Sequence, residues 1–506
     1  MKKILILMAV IGMVFTSCGI DGDVGEKMKS PDYPESNSEN LGNVENGERS
    51  DKVYDDFLNL ISSEKKPFEL IDFMDKEISN VTSEKADNMI LALEEVLNIY
   101  ESYYQGEIFA SDFIKEIGSE FESNEDIVDK AKGTEFESLV EEIVNGGYKF
   151  ESREGTVYPI VDYSFLKKYD SFISDKVADY INIKSNQSDN PVAMDAALVI
   201  SWDELGERLL EIESYMDKYN DFVRIKQLEG IYYNYMTIYL AGLDNTPAYD
   251  YETDEYKDEV LETIIGIPEM FEFEGTKTAD IVKDYLDIIK EDNYVFNQKA
   301  KEFIDDLRQK SYDNKINYVY TKGIFAKLLP EKSGYEWRYS GFAEYGHYME
   351  IDEIVRDNGV IKYLITGEVL DMSDGEAGYD SDHYNIDLVY TIENGALIQT
   401  KSENMMMDSD FDELELIRAP LTKGNKWGQG VVDESGEYRY LNCEITDINE
   451  VEGSKVYTVE YREDSGYYEI RMIEEGIGVV SFTKLWQTDD GDFEIGYSLN
   501  KEYSGY

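Results

Sequence analysis

Cysteine and histidine are almost missing from this chain, which holds two of each in 506 residues. Cys18 and Cys443 are too few to build the disulfide framework that staples many exported domains. His347 and His383 are the only imidazoles, and neither lies in a nucleophile context, so Ser-His-Asp and Cys-His chemistry has little to stand on. There is no Gly-x-Ser-x-Gly elbow, phosphate-binding Gly-Lys-Ser/Thr loop, dinucleotide glycine fingerprint or His-Glu-x-x-His zinc helix. Positive charge is scarce as well. With 48 basic against 108 acidic residues the net charge is −60, which sets the chain against nucleic acid and against anionic lipid head groups. Dense carboxylates instead keep an exported protein soluble.

What the chain does have is apolar material: 42% of residues are hydrophobic and 13% aromatic, enough for two or three domains with substantial cores. The one long apolar run stands at the start. Met1-Lys2-Lys3 is cationic, Ile4 to Phe15 is apolar, and Thr16-Ser17-Cys18 closes the segment before Asp21-Gly22-Asp23. A run this short reads as a secretory signal, residues 1–17, and not as a permanent span. Cys18 after small residues resembles the bacterial lipobox, with Phe15 where that motif usually has Leu. The resemblance implies cleavage before Cys18, a lipid on its thiol, and an extracytoplasmic protein anchored to the cell membrane. Residues 18–55 then read as a disordered acidic tether.

Residues 56–322 carry helical spacing. Ala86, Met89, Leu93, Val96, Tyr100 and Tyr104 step by three and four, with Ser83 as the expected N-cap. Leu198, Trp202, Leu205, Leu209, Ile212, Met216 and Tyr219 form a second seam, and Ile225 to Tyr239 begins the return helix. Phe296, Ala300, Phe303 and Leu307 give another. Trp202-x-x-Leu205-Gly206-x-x-Leu209 partly matches a tetratricopeptide repeat, but Lys218 stands where that repeat needs a small residue and no copies flank it. Residues 148–163 read as a hairpin insert turning near Glu154-Gly155, and Gly242 to Pro247 as a helix stop leading into a Tyr-rich acidic loop.

The period changes near Phe325, and two related β segments follow, 323–418 and 419–506. Leu329-Pro330-x-x-x-Gly334-x-x-Trp337 opens one, and Pro420-Leu421-x-x-Gly424-x-x-Trp427 opens the other. Glu350-Ile351-Asp352-Glu353-Ile354 is answered by Glu444-Ile445-Thr446-Asp447-Ile448, and the Tyr390 to Ile398 block by Arg471 to Val479. Each copy is expected to be an antiparallel meander of five or six strands. These openings, the Ile473-x-x-Gly476-x-Gly478-Val479-Val480 ending and the Gly242-Leu243-Asp244-Asn245-Thr246-Pro247 segment resemble uncharacterised lipoproteins of low-GC Gram-positive anaerobes. That resemblance implies a surface lipoprotein and brings no catalytic residues.

Single residues read structurally. His347 is expected as a structural residue in a strand or bulge, Cys443 as a small buried side chain sharing a face with Leu441 and Ile445, and Trp337 and Trp427 as core anchors. The acidic loops 371–382 and 489–492 offer the oxygen ligands of a calcium ion but lack the full loop spacing, so no cofactor is assigned. The expected fold is segregated α+β: an N-terminal α-helical bundle or short solenoid, then a duplicated antiparallel β-sheet forming a sandwich or half-barrel. The expected role is non-catalytic, a binding or envelope-scaffold protein whose exposed tyrosines, among 41 in the chain, engage glycan, peptide or another envelope protein. A carboxylate-dependent hydrolase of wall or extracellular polymers is the rival, and it needs a cleft with two acids, one of raised pKa. A solute-binding lipoprotein needs two α/β lobes, which segregated helices and strands do not supply.

Overall fold

The structure, a computed structural model, describes residues 44–506 apart from 312–318, 358, 371–380, 434 and 489–490. Cys18, the signal segment and most of the tether lie outside the described residues, as do most of the 371–382 loop and Asp489 and Asp490.

Helix α1 (Val44–Ser62) begins inside the stretch expected to be disordered. Tyr54, Phe57 and Ile61 give it an apolar stripe, and all three are buried. Helix α2 (Pro67–Glu77) has Pro at its first position, and the Glu69 carboxylate accepts the Lys66 backbone N–H at 3.1 Å. The 27-residue helix α3 (Ser83–Phe109) is the central post, and its expected seam from Ala86 to Tyr104 is buried throughout. Its cap is Thr82, not Ser83. Thr82 has extended dihedrals and its Oγ1 accepts from the Lys85 N–H, whereas Ser83 already has a helical backbone.

The hairpin of β1 (Tyr148–Arg153) and β2 (Thr156–Val161) packs on α3 and turns at Glu154-Gly155, both with positive φ. Helix α4 (Asp175–Asp189) follows, then α5 (Trp202–Lys218) capped by Ser201. Leu198 therefore falls outside the expected seam and pairs with Ala193 in a two-residue ladder. Helix α6 (Ile225–Ala241) packs along α5, and α7 (Lys277–Lys290) and α8 (Gln298–Lys310) complete the helical half.

The second half is one antiparallel sheet of twelve strands. Its first meander is β3 (Glu336–Gly341), β4 (Gly346–Asp357), β5 (Val360–Val369), β6 (Asn385–Glu393), β7 (Ala396–Ser402) and β8 (Glu413–Arg418). The second is β9 (Lys426–Val432), β10 (Tyr438–Val451), β11 (Ser454–Arg462), β12 (Tyr468–Glu474), β13 (Gly478–Trp486) and β14 (Phe493–Leu499). Both meanders carry a bulge in the same block, between Ile351 and Glu353 and between Ile445 and Asp447. They join through the β3–β14 ladder, from Tyr339↔Leu499 to Gly341↔Tyr497.

At the other junction β8 and β9 form no ladder. A single Phe411–Asp433 bridge and the side chains of Asn425 and Gln429 stand there instead, Asn425 donating to the Arg418 carbonyl at 2.9 Å. Gln429 donates from Nε2 to the Glu415 carbonyl at 3.0 Å and accepts the Glu415 N–H on Oε1 at 2.9 Å. One amide thus plays both parts of a missing backbone neighbour, and the sheet curls past a half-barrel to a nearly closed barrel.

Trp337 is buried and ties the first meander to the second, its Nε1 donating to the Ile477 carbonyl at 2.7 Å. Trp427 opens the second meander in the equivalent place but is only partly buried, and its enclosed Nε1 has no hydrogen-bond partner. One contiguous apolar core runs through both halves of the molecule. Helix α3 meets the β6–β7 turn where Ile99 crowds Gly395, leaving no room there for a Cβ. The matching β12–β13 turn is held by the Gly476 N–H, which donates to the Lys327 carbonyl at 2.6 Å.

Candidate functional site

Three sets of chemically capable side chains are sealed. Inside the barrel, Arg471 donates to Glu469 at 2.6 Å and to Asp408 at 3.0 Å, all three fully buried. Asp408 also accepts from Gln399 at 2.7 Å and Tyr497 at 3.0 Å. Burial alone pushes the Asp408 carboxyl up, yet Arg471, Lys401 and these hydrogen bonds hold it well below the usual carboxylate range. The loop between β7 and β8 folds into the barrel to bring Asp408 and Ser409 there, with the Ser409 hydroxyl donating to Glu469 at 2.6 Å. In the helical half, buried Arg224 clamps Glu94 at 3.2 Å and Glu95 at 2.7 Å, and Tyr163 and Tyr180 donate to Glu94.

The third set lies in the seam between the halves. The Glu64 carboxylate is buried, and burial pushes its pKa up to about 7 despite Lys455, the Leu421 backbone N–H and Lys327 nearby. His347 is buried as a strand residue, its ring 4.5 Å from that of Tyr339 and 4.9 Å from that of Tyr497, and burial pushes its pKa down to about 3. Cys443 is buried on the face it shares with Leu441 and Ile445, and burial pushes its thiol up to about 12, which leaves it a poor nucleophile.

The open chemistry is on the barrel's outer face, along β9 and β10. Strand alternation turns Gly428, Gly430 and Val432 outward while Val431 is buried, and turns Tyr438, Tyr440 and Asn442 outward while Leu441 and Cys443 are buried. The cross-strand pairs are Gly428↔Asn442, Gly430↔Tyr440 and Val432↔Tyr438. Each tyrosine leans back across a glycine. A Cβ on Gly428 would stand 1.9 Å from the Tyr440 Oη, and one on Gly430 would stand 2.3 Å from the Tyr438 Oη. The rings still expose 54% and 68% of their residues' surface, and Val432 beside them exposes 54%. Two residues apart on one strand, the rings repeat at roughly 6.6–6.8 Å.

A polar strip borders the rings. Arg462 stands opposite Asn442, its guanidinium 5.1 Å from the Tyr468 ring centre, and it pairs with Glu460 at 2.8 Å. Two flat apolar faces beside hydrogen-bonding groups suit a rigid ligand that has an apolar face and polar edges. Tyrosine abundance by itself marks no positions. The signal was present in Gly428-x-Gly430 followed by Tyr438-x-Tyr440, because exposed glycines at period two in a strand leave room for rings from the next strand.

The structure also places the acids. Glu64, Asp87 and Asp170, which burial holds above the usual carboxylate range, line neither of two open concave surfaces. One of these is an open groove of about 900 Å³ on the barrel exterior, where Glu474 pairs with Lys501 at 2.6 Å. Among the described residues no three His, Cys, Asp or Glu side chains converge as a metal site, and no helix is long and apolar enough to cross a membrane.

No known protein family matches the chain, and no curated protein does. Among solved structures it is similar to a "putative lipoprotein" from Parabacteroides distasonis, at 12% identity over 34% of this chain and 96% of that one, with a TM-score of 0.22. A "putative exported protein with YmcC-like fold" from Bacteroides fragilis is similar at 10% identity, over 34% and 96%, with a TM-score of 0.23. Neither source is a low-GC Gram-positive anaerobe, and likeness at this level carries no argument about this chain's fold or function.

Proposed function

We propose that the chain is an extracytoplasmic binding protein, anchored by lipid on Cys18, that holds polysaccharide against Tyr438 and Tyr440. The observation that carries this reading is the pair of exposed rings laid across Gly428 and Gly430. Sugar rings present an apolar C–H face and hydroxyl edges, which fit the ring faces and the Asn442–Arg462–Glu460 strip in turn. A chain of sugars repeats along one axis, as the two rings do. The net charge of −60 favours a neutral glycan over an acidic one. No step of catalysis enters this role.

The test is retention on insoluble cellulose, chitin and cell-wall preparations, with affinity electrophoresis in soluble β-glucan, xylan and mannan. The full chain is expected to bind at least one of these polymers. Tyr438→Ala/Tyr440→Ala should weaken that binding ten-fold or more, about 1.4 kcal/mol, with an unchanged melting temperature. Binding that survives the double substitution would overturn the assignment of this surface. Cys18→Ala should move the protein from the membrane fraction to the soluble one without changing glycan retention.

A further inference from the structure

A second open concavity lies in the helical half, far in sequence from the tyrosine platform. It is a cleft of about 590 Å³ between α5, α6 and the turns that follow Gly266. Its floor is apolar, made by Leu210, Tyr239, Ile267, Met270 and Phe273. Gly206 lets these side chains come close, since a Cβ there would lie 3.3 Å from Ile267 and under 4 Å from Tyr239 and Phe273. The volume falls within the usual range for small-molecule sites.

The rim of this apolar cleft is anionic on both sides. Asp203, Glu207 and Glu211 follow one another at every fourth residue of α5, and Glu272 stands on the facing turn. None of the four has an ion-pair or hydrogen-bond partner among the described residues. Like charges at i,i+4 destabilise a helix, and only Asp203, in the first turn, gains from the helix N-terminus. Some helix acids elsewhere pair with a lysine one turn away, as in Lys65–Glu69, Lys130–Asp126 and Lys310–Asp306. Here the acids stay unpaired, and they face an apolar floor.

Charge complementarity selects the occupant. Four residues of helix advance about 6 Å, so the three α5 carboxylates form a ladder about 12 Å long. A linear aliphatic polyamine matches it, with ammonium groups set one methylene linker apart on a chain that is otherwise hydrocarbon. A basic helical peptide is too bulky, because two turns of a helix 10–12 Å across occupy roughly 850–1,200 Å³. We infer that this cleft binds a linear polyamine, its methylenes on Leu210, Met270 and Phe273 and its ammonium groups on Asp203, Glu207, Glu211 and Glu272.

The experiment is calorimetric titration of spermine, putrescine and magnesium into the full chain at about 0.15 M salt, where diffuse attraction is screened. Spermine is expected to fill one saturable site at least ten-fold more tightly than putrescine, because it reaches more of the ladder. Glu207→Gln/Glu211→Gln should weaken spermine ten-fold or more, and Met270→Lys, which places a tethered ammonium in the cleft, should abolish it. Met270 is already 43% exposed, so this change leaves the fold intact. The surface control Glu350→Gln/Glu413→Gln should leave affinity unchanged. Multisite binding, equal loss in the control, displacement by magnesium at equal charge, or no heat from spermine would each overturn the inference. None of these outcomes bears on the tyrosine platform, which is tested with neutral glycans.

Discussion

Glu64 shows how little a residue's neighbours in sequence say about its environment. Glu64 follows α1 within the polar stretch Ser62-Ser63-Glu64-Lys65-Lys66, and it has a positive φ of 54°. Its carboxylate is nevertheless enclosed between the helical and β halves, near Lys455, Lys327 and Glu475. The folded pKa of about 7 lies above the ordinary 4.5, so Glu64 favours the folded state fully below pH 4.5 and loses that contribution as pH rises through 7. Its linkage therefore lowers stability between pH 5 and pH 8 by up to roughly 3 kcal/mol. Glu64→Gln should remove that slope, measured as urea midpoints across the window, and an identical slope in both proteins would show that the carboxyl titrates normally. Asp408 acts in the opposite sense, since its lowered pKa costs stability only as pH falls below the usual carboxylate range. Neither residue's role was legible beforehand, because each environment is assembled from segments distant in the chain.

At the level of elements, periodicity was a sound guide to strands and helices and a poor one to their ends. The bulged blocks of β4 and β10 were visible as matching sequence, and so were the hairpin at Glu154-Gly155 and the seam of α3. The errors at Ser83 and Leu198 are end errors, where one cap oxygen decides the boundary. Closure of the barrel was not legible at all. It depends on Gln429, an ordinary-looking strand residue whose amide meets the Glu415 backbone only once the sheet has curled. Gln429→Ala should leave that N–H and carbonyl without partners at the seam, costing about 1–3 kcal/mol. The change should also raise hydrogen exchange at Glu415 above that of β6 amides, and unchanged exchange would mean that water or the Phe411–Asp433 bridge already closes the gap.

For the molecule as a whole, the contiguous core argues that the helical and β halves unfold together. Three of the four tryptophans, Trp337, Trp427 and Trp486, report on the barrel, while far-UV circular dichroism at helix wavelengths reports on α1 to α8. The two signals should share one urea midpoint, and separated midpoints would show that the seam around Glu64 and Ile99 couples the halves weakly. Sequence alone determined the quantities that local pattern and composition carry: the charge of −60, the order of helices before strands, and the paired tryptophan openings. These depend on residues near one another or on simple sums. Tertiary structure alone decided that the sheet curls to a nearly closed barrel, that its ion clusters are sealed, and that two tyrosines lie open over glycines while unpaired acids ring an apolar cleft. The physical reason is that burial and exposure depend on which distant segments pack together, and a single sequence with 108 acids and 41 tyrosines does not mark which of them will be covered.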